Sequence, residues 1–283
     1  MILFPENGRL GNQLFQYCGL QTFFPDHRLV LFGFEDLKSV CSNPAAIFIP
    51  KRFFSSVHLY KIFCKALFLL SRLRIFSQIS EDLYSEKYNL IVRKGLFTTI
   101  YVPVNVFFQH SDVFSRFSNL PSLCPTLFET AILWLSSNGL DPVSDTLVFV
   151  HIRRGDYLTW PSVKSPAALG LKWYLTAVEE LKQSFSNCSF VLMGDDVLYL
   201  EDIASLIPNC LVSYNLPQID FALMILCRHG ILSASSFAWW GAKYASNNYQ
   251  SSSVYLAPKY WIGHRGKSWN PTCMKSSHLS YFL

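Results

Sequence analysis

The chain has 283 residues, 51% of them apolar and 15% charged, a balance that supports a sizeable core and excludes a disordered polypeptide. That length is comfortable for two domains. The net charge of +5 is modest but uneven: no acid lies between Asp36 and Glu81, where Lys38, Lys51, Arg52, Lys61, Lys65, Arg72 and Arg74 stand. Such a stretch is either a solvated basic face or the footprint of an anionic partner. A nucleic-acid partner is not expected.

Residues 2–4 read as a short strand and residues 11–22 as a helix, joined by the turn GRLGNQLFQY (residues 8–17). A turn between a strand and a helix offers backbone N–H groups and the helix dipole to an anion, so Gly11 and Asn12 are candidate phosphate contacts. Equally, the turn is only a tight connection with Asn12 as cap. The glycine spacing lacks G-x-G-x-x-G and is not a dinucleotide fingerprint. Residues 57–76 read as a basic amphipathic helix with Leu59, Phe63, Leu67, Leu70 and Leu73 on one face. That face either packs on its own lobe or lies in the interface of an anionic bilayer.

The strongest cluster of turn formers, SSNGLDPVSD (residues 136–145), marks a boundary between an N-terminal lobe (1–140) and a C-terminal lobe (141–283). Beyond it, strands and helices alternate: strand Thr146–Ile152, helix 171–185, strand 189–193, helix 197–206, strand 210–214, helix 218–228, strand 230–233, helix 237–247 and a last strand 253–257. Alternation at this spacing implies a parallel sheet with helices on both faces. Ligands of such sheets bind beyond the carboxyl ends of the strands, here the loops after Ile152, Met193, Tyr214 and Ser233.

Chemistry is expected in those loops. His151-Ile152-Arg153-Arg154-Gly155-Asp156 follows the first strand. Two guanidinium forks match phosphate oxygens and can clamp a pyrophosphate leaving group. The alternative is pairing with local acids such as Asp156. Asp156 and His151 are also the candidate bases for a nucleophilic hydroxyl. Asp195 and Asp196 form a carboxylate pair without the D-x-D spacing of metal-dependent sugar transferases, and Asp195 equally suits a helix cap; no metal or other cofactor is expected. Ser235, Ser236 and Phe237 open the helix before Trp239 and Trp240, and a serine cap there leaves N–H donors for a phosphate.

The eight cysteines, at 18, 41, 64, 124, 188, 210, 227 and 273, contain no C-x-x-C pair and read as buried thiols of a cytoplasmic protein. No signal peptide and no spanning segment is apparent, so a cytoplasmic location is expected, with peripheral contact at the inner membrane face if the basic helix binds lipid.

GRLGNQLFQY, HIRRGDY and SSFAWWGA, in this order and spacing, resemble glycosyltransferase family 11, the α-1,2-fucosyltransferases. The resemblance implies two Rossmann-like lobes of GT-B type with a cleft between them, the N-terminal one less regular. It implies inverting transfer of L-fucose from GDP-β-L-fucose to O-2 of a galactose-like acceptor, an oligosaccharide or a lipid-linked glycan, without metal. It also implies that the His-Arg-Arg loop holds the donor's phosphates and that an acid about fifteen residues before the serine pair reads guanine. Asp220 stands in that position. The chain departs at Gly194 and Ala238, where family members often carry Ser. The alternatives are transfer from GDP-mannose or GDP-rhamnose, and a non-catalytic nucleotide-sugar or glycan-binding role.

Overall fold

The computed structural model describes residues 1–82, 87–117, 119–249, 252–272 and 274–283. Cys273 lies outside the described residues; the other seven cysteines are free thiols. The chain divides into two compact units, Met1–Cys124 and Pro125–Leu283.

The first unit runs β1 (Ile2–Pro5), α1 (Leu10–Phe23), β2 (Leu29–Phe32), α2 (Glu35–Val40), β3 (Ile47–Ile49), α3 (Val57–Arg72), β4 (Phe76–Glu81), β5 (Leu90–Arg93), β6 (Phe97–Pro103) and α4 (Ser111–Phe114). Its sheet has the order β3-β2-β1-β6-β4-β5, parallel throughout except for β5, which runs antiparallel on β4. The expected helix over 57–76 is shorter. Arg74 adopts a left-handed φ of 56°, and the Ile75 amide reaches back to the Leu70 carbonyl at 2.9 Å, closing α3 before Phe76 begins β4. Ser56 caps the other end by accepting from the Leu59 amide at 3.2 Å. Tyr60, Leu67 and Ser71 face inward, where Tyr60 and Leu67 join Val30, Phe32 and Val102 in one core.

The turn ahead of α1 is tied by side chains. Gln13 donates to the Glu6 carboxylate at 3.1 Å and the Gly8 carbonyl at 3.2 Å, and accepts from the Leu37 amide at 2.9 Å. Arg9 holds the cap position of α1 without a side-chain bond, so Asn12 is not the cap; its Oδ1 instead accepts from Gln109 at 2.8 Å. Gly8 has φ +94°, a conformation open to glycine, and a Cβ there would lie 2.3 Å from Asn12 Nδ2.

The second unit contains α5 (Pro125–Ser137), β7 (Thr146–Ile152), a small hairpin β8 (Pro161–Ser162) and β9 (Ser165–Pro166), α6 (Leu171–Ser184), β10 (Cys188–Gly194), α7 (Val197–Ala204), β11 (Cys210–Val212), α8 (Pro217–Leu226), β12 (His229–Leu232), α9 (Ser236–Tyr249), β13 (Tyr255–Pro258) and β14 (Ser280–Phe282). The boundary falls before the 136–145 turn cluster because α5 packs on α8 and belongs with this unit. Six parallel strands lie in the order β11-β10-β7-β12-β13-β14. Counted from β7, that is 3-2-1-4-5-6, the doubly wound order, whose direction reverses between β7 and β12. Thr146–Ile152 is buried from Leu147 onward. Val148, Val150 and Ile152 share a core with Tyr174, Val178, Leu181, Phe190 and Leu192, as expected of a strand covered on both faces. Trp239 and Trp240 are both fully buried, so neither is offered to a base or sugar. Residues 253–257 do not hold the last strand: β14 adds an edge beside β13.

Candidate functional site

The loops leaving β7 and β12 adjoin where the strand order reverses, the place where doubly wound sheets hold ligands. His151, near the end of β7, is buried and bridges the two strands: its Nδ1 lies 2.8 Å from Ser233 Oγ, and the Ser233 amide donates to the His151 carbonyl at 3.0 Å. Burial, aided by the charge of Arg153, lowers the His151 pKa to about 3. Its imidazole is therefore neutral at ordinary pH and a weak base. Through Ser233 it joins the ends of β7 and β12.

Beyond it the chain folds into an arginine–carboxylate lattice. Arg153 pairs with Asp156 at 2.7 Å and with Asp195 at 3.0 Å. The Arg154 Nε donates to Asp196 at 2.9 Å, its backbone amide donates to Asp195 Oδ1 at 2.8 Å, and its guanidinium lies 3.7 Å from the centre of the Tyr199 ring. A Cβ on Gly155 would sit 2.7 Å from Asp195 Oδ2, so glycine lets the loop close on that carboxylate. Tyr157 fastens the far side by donating to the Ala234 carbonyl at 2.9 Å, which joins the β7 loop to the β12 loop.

One expectation changes here. The cap of α7 is Asp196, which accepts from the Tyr199 amide at 3.2 Å; Asp195 is instead bound to the arginine loop. The Asp156 carboxylate accepts from Arg153 at 2.7 Å, and 61% of its side chain stays exposed. Arg153 and Arg154 do meet local acids, yet about a third and a quarter of their side chains remain exposed, leaving N–H donors for an incoming anion.

Asp220 occupies the first turn of α8 and is nearly buried. Ser213, just past β11, donates to its Oδ1 at 2.5 Å, and Asn215 Nδ2 donates to the same serine hydroxyl at 2.9 Å. Burial raises the Asp220 pKa to about 7 against the opposing pull of Ser213. The Ser235 carbonyl accepts the Trp239 amide at 2.9 Å, the first turn of α9. Ser235, Ser236 and Phe237 thus open that helix, and the Phe237 ring packs at a tilt against both His151 and Phe221, at 5.6 and 5.5 Å between centroids. The second unit brings together His151, Arg153, Arg154, Asp156 and Asp195 with the opening of α9; Asp220 lies on the neighbouring α8. Gly11 and Asn12 belong to the first unit, in the first turn of α1. Sequence reasoning missed Ser213, Tyr157 and Tyr199. The first follows a strand's carboxyl end and was within reach; the two tyrosines act across contacts distant in sequence.

The fold is shared with solved structures of low sequence identity: that titled "Crystal structure of POFUT1 in complex with GDP-fucose" aligns over 90% of this chain and 96% of that one, at a TM-score of 0.56 and 12% identity. An alpha-1,2-colitosyltransferase of Escherichia coli is 33% identical over 123 residues, 41% of each chain. A galactoside alpha-(1,2)-fucosyltransferase 2 of Pongo pygmaeus is 25% identical over 261 residues, 88% of this chain and 69% of its own length. The alignments thus span about two-fifths of the length of the bacterial relatives and about two-thirds of the primate one. The model of the family described as Glycosyl transferase family 11 matches residues 4–269, a span that includes the glycine turn, the arginine loop and the start of α9. With that match over nearly its whole length, and a pair of Rossmann-like units of the GT-B kind, the chain belongs to glycosyl transferase family 11.

Proposed function

We propose that this protein transfers L-fucose from GDP-β-L-fucose to O-2 of a galactose-like residue with inversion, the acceptor being an oligosaccharide or a lipid-linked glycan. The observation that carries the reading is the placement of Arg153 and Arg154 at the reversal point of the sheet, beside the start of α9. In this reading the acceptor hydroxyl gives its proton to Asp156 as its oxygen bonds to the sugar C1, the bond from C1 to the β-phosphate oxygen breaks, and the negative charge gathered on GDP is met by the two guanidiniums and the α9 N–H groups. Arg153 is preorganised for that task by Asp156 and Asp195. Asp195 and Asp196 are committed to arginines, so the cations serving the diphosphate are side chains, and transfer is expected to survive chelation.

Asp220 suits guanine: one carboxylate accepts from N1–H and the exocyclic amine together, a donor pair that adenine and uracil lack. Its first oxygen already takes the Ser213 hydroxyl, and a carboxylate retains further lone pairs for the base. The α-1,2 linkage draws on the names of the relatives, as does a second reading in which the sugar is colitose, the transferred group named for the relative at 33% identity. The test is incubation with GDP-fucose, lactose and EDTA. Formation of GDP and a fucosylated trisaccharide supports the reading. Turnover of GDP-mannose or GDP-colitose in its place would move the assignment to that sugar, and nucleotide binding without any transfer would make the protein a binding module.

A further inference from the structure

α3 carries two apolar stripes, and only one of them is used by the fold. Tyr60, Leu67 and Ser71 are buried, with Phe63, Cys64 and Phe68 half-buried beside them against the sheet. Of the face expected either to pack on its own lobe or to meet a bilayer, Leu67 is core and Phe63 and Leu70 are half-buried at its edge, so this part packs on the lobe. A different stripe faces outward. Leu59, Ile62, Ala66, Leu69 and Leu73 repeat at alternating spacings of three and four, and the four large members are each about half exposed or more, from 49% for Leu59 to 62% for Leu73. It continues past the helix, because the Leu96 amide donates to the Arg74 carbonyl at 2.7 Å and Leu96 is 78% exposed.

The borders of the stripe decide what covers it. His58, Lys65 and Arg72 follow its edge at seven-residue intervals, all exposed, with Lys61 farther round and Arg74, Arg93 and Lys94 at the β4–β5 end. No acid occurs from residue 37 to residue 80, and Glu81 is turned inward, accepting from the Phe107 and Phe108 amides. A second copy of α3 laid on this seam would bring like-charged borders together with no carboxylate to answer them. An anionic bilayer supplies both complements at once: acyl chains for the leucines and headgroup phosphates for the snorkelling cations.

We propose that the outer face of α3, with Leu96, is a docking surface for an anionic lipid bilayer, on which the protein lies peripherally; among the described residues no helix is long and apolar enough to cross one. The surface is independent of the donor chemistry, so its failure and that of the transferase reading are separable. The full-length protein is floated with vesicles of phosphatidylcholine, with and without phosphatidylglycerol, at low salt. It rises with the anionic vesicles and not with the neutral ones. Each basic residue near such a surface is worth about fivefold in affinity, so Lys65→Ala with Arg72→Ala weakens partitioning by about 30-fold. Ile62→Asp with Leu69→Asp abolishes it, while melting and transfer to a soluble acceptor stay unchanged, because these side chains already face water. Absence of flotation at low salt overturns the proposal, as does equal binding to neutral vesicles. So does a dimer in sedimentation that Leu69→Asp dissociates, which would give the stripe to a second copy.

Discussion

Ser213 donates its hydroxyl to Asp220 at 2.5 Å, and that bond does not prevent burial from lifting the Asp220 carboxyl to about 7. An acid poised there is about half ionised at neutral pH, and reading guanine requires an ionised acceptor. GDP affinity is therefore expected to be about tenfold weaker at pH 6 than at pH 8, one decade following from one proton taken up across that interval. Asp220→Ala weakens GDP by about 1–3 kcal/mol and narrows the preference over ADP. Calorimetry with both nucleotides at both pH values checks this, and unchanged discrimination would remove Asp220 from base reading.

The same acid has a signature in stability. Its folded-state pKa of about 7 exceeds the ordinary 3.8, so the unfolded chain releases the proton first. The contribution of Asp220 is present at low pH and is lost as pH rises from about 4 to 7. His151 works in the opposite sense: its folded value near 3 lies below the ordinary 6.5, so stability falls as pH drops from about 6.5 to 3. Denaturant midpoints measured against pH should show Asp220→Asn gaining stability relative to the parent as pH rises from about 4 to 7, the histidines being common to both proteins. If the two proteins titrate in parallel, the carboxyl is not perturbed.

Arg153 is expected to lose more than charge when shortened. Its two terminal nitrogens reach different acids, Asp156 and Asp195, so its fork is held in one plane. Lysine keeps the charge and cannot keep that plane. Turnover in Arg153→Lys should fall by about 10²–10³. Near-native turnover would show that the leaving group is not clamped by a fork.

Asp195 is the residue on which the arginine loop rests, since it takes both the Arg153 guanidinium and the Arg154 amide. Asp195→Asn keeps an acceptor for the amide and discards the ion pair. Turnover should fall by about tenfold, in line with one charged hydrogen bond, while the melting temperature hardly moves, because the pair is partly solvent-exposed. A large loss of stability with unchanged turnover in the surviving fraction would make Asp195 a scaffold residue only.

How legible all this was in sequence depends on the range of the contact involved. Thr146–Ile152 was readable because a strand buried on both faces leaves a continuous β-branched and aromatic run. β4 and β5 left no such run: Ser77, Gln78 and Ser80 interrupt the apolar residues of β4, and β5 is an exposed edge. The division between units was placed by its turn residues, whereas the packing of α5 on α8, far apart in sequence, decides it. α3 misled in a particular way. Two interleaved stripes both satisfy three-and-four spacing, so periodicity alone could not say which one the sheet would take. In the site, the residue types were visible, but Asp195 reaches the arginine loop from 41 positions away, and no local spacing encodes that.

Gly194 offers a last test, just ahead of the Asp195–Asp196 pair. It ends β10, paired in register with Ile152 of β7, and a Cβ built on it would lie 2.1 Å from the Ile152 carbonyl oxygen. That obstacle is backbone and cannot swing aside, so Gly194→Ala must push apart the strand ends that carry the arginine loop and Asp195. Overpacking of this kind costs about 1–3 kcal/mol. For a protein of this size that is a fall of roughly 2–12 °C in melting temperature. GDP binding should weaken alongside, because Ile152 immediately precedes Arg153. Gly170→Ala is the matched control: a Cβ there meets nothing within 4 Å, and its φ of −82° suits any residue. Thermal melts and GDP titrations of the two variants decide the matter. If Gly194→Ala melts and binds like Gly170→Ala, the strand ends have room to spare and the glycine carries no constraint on the site.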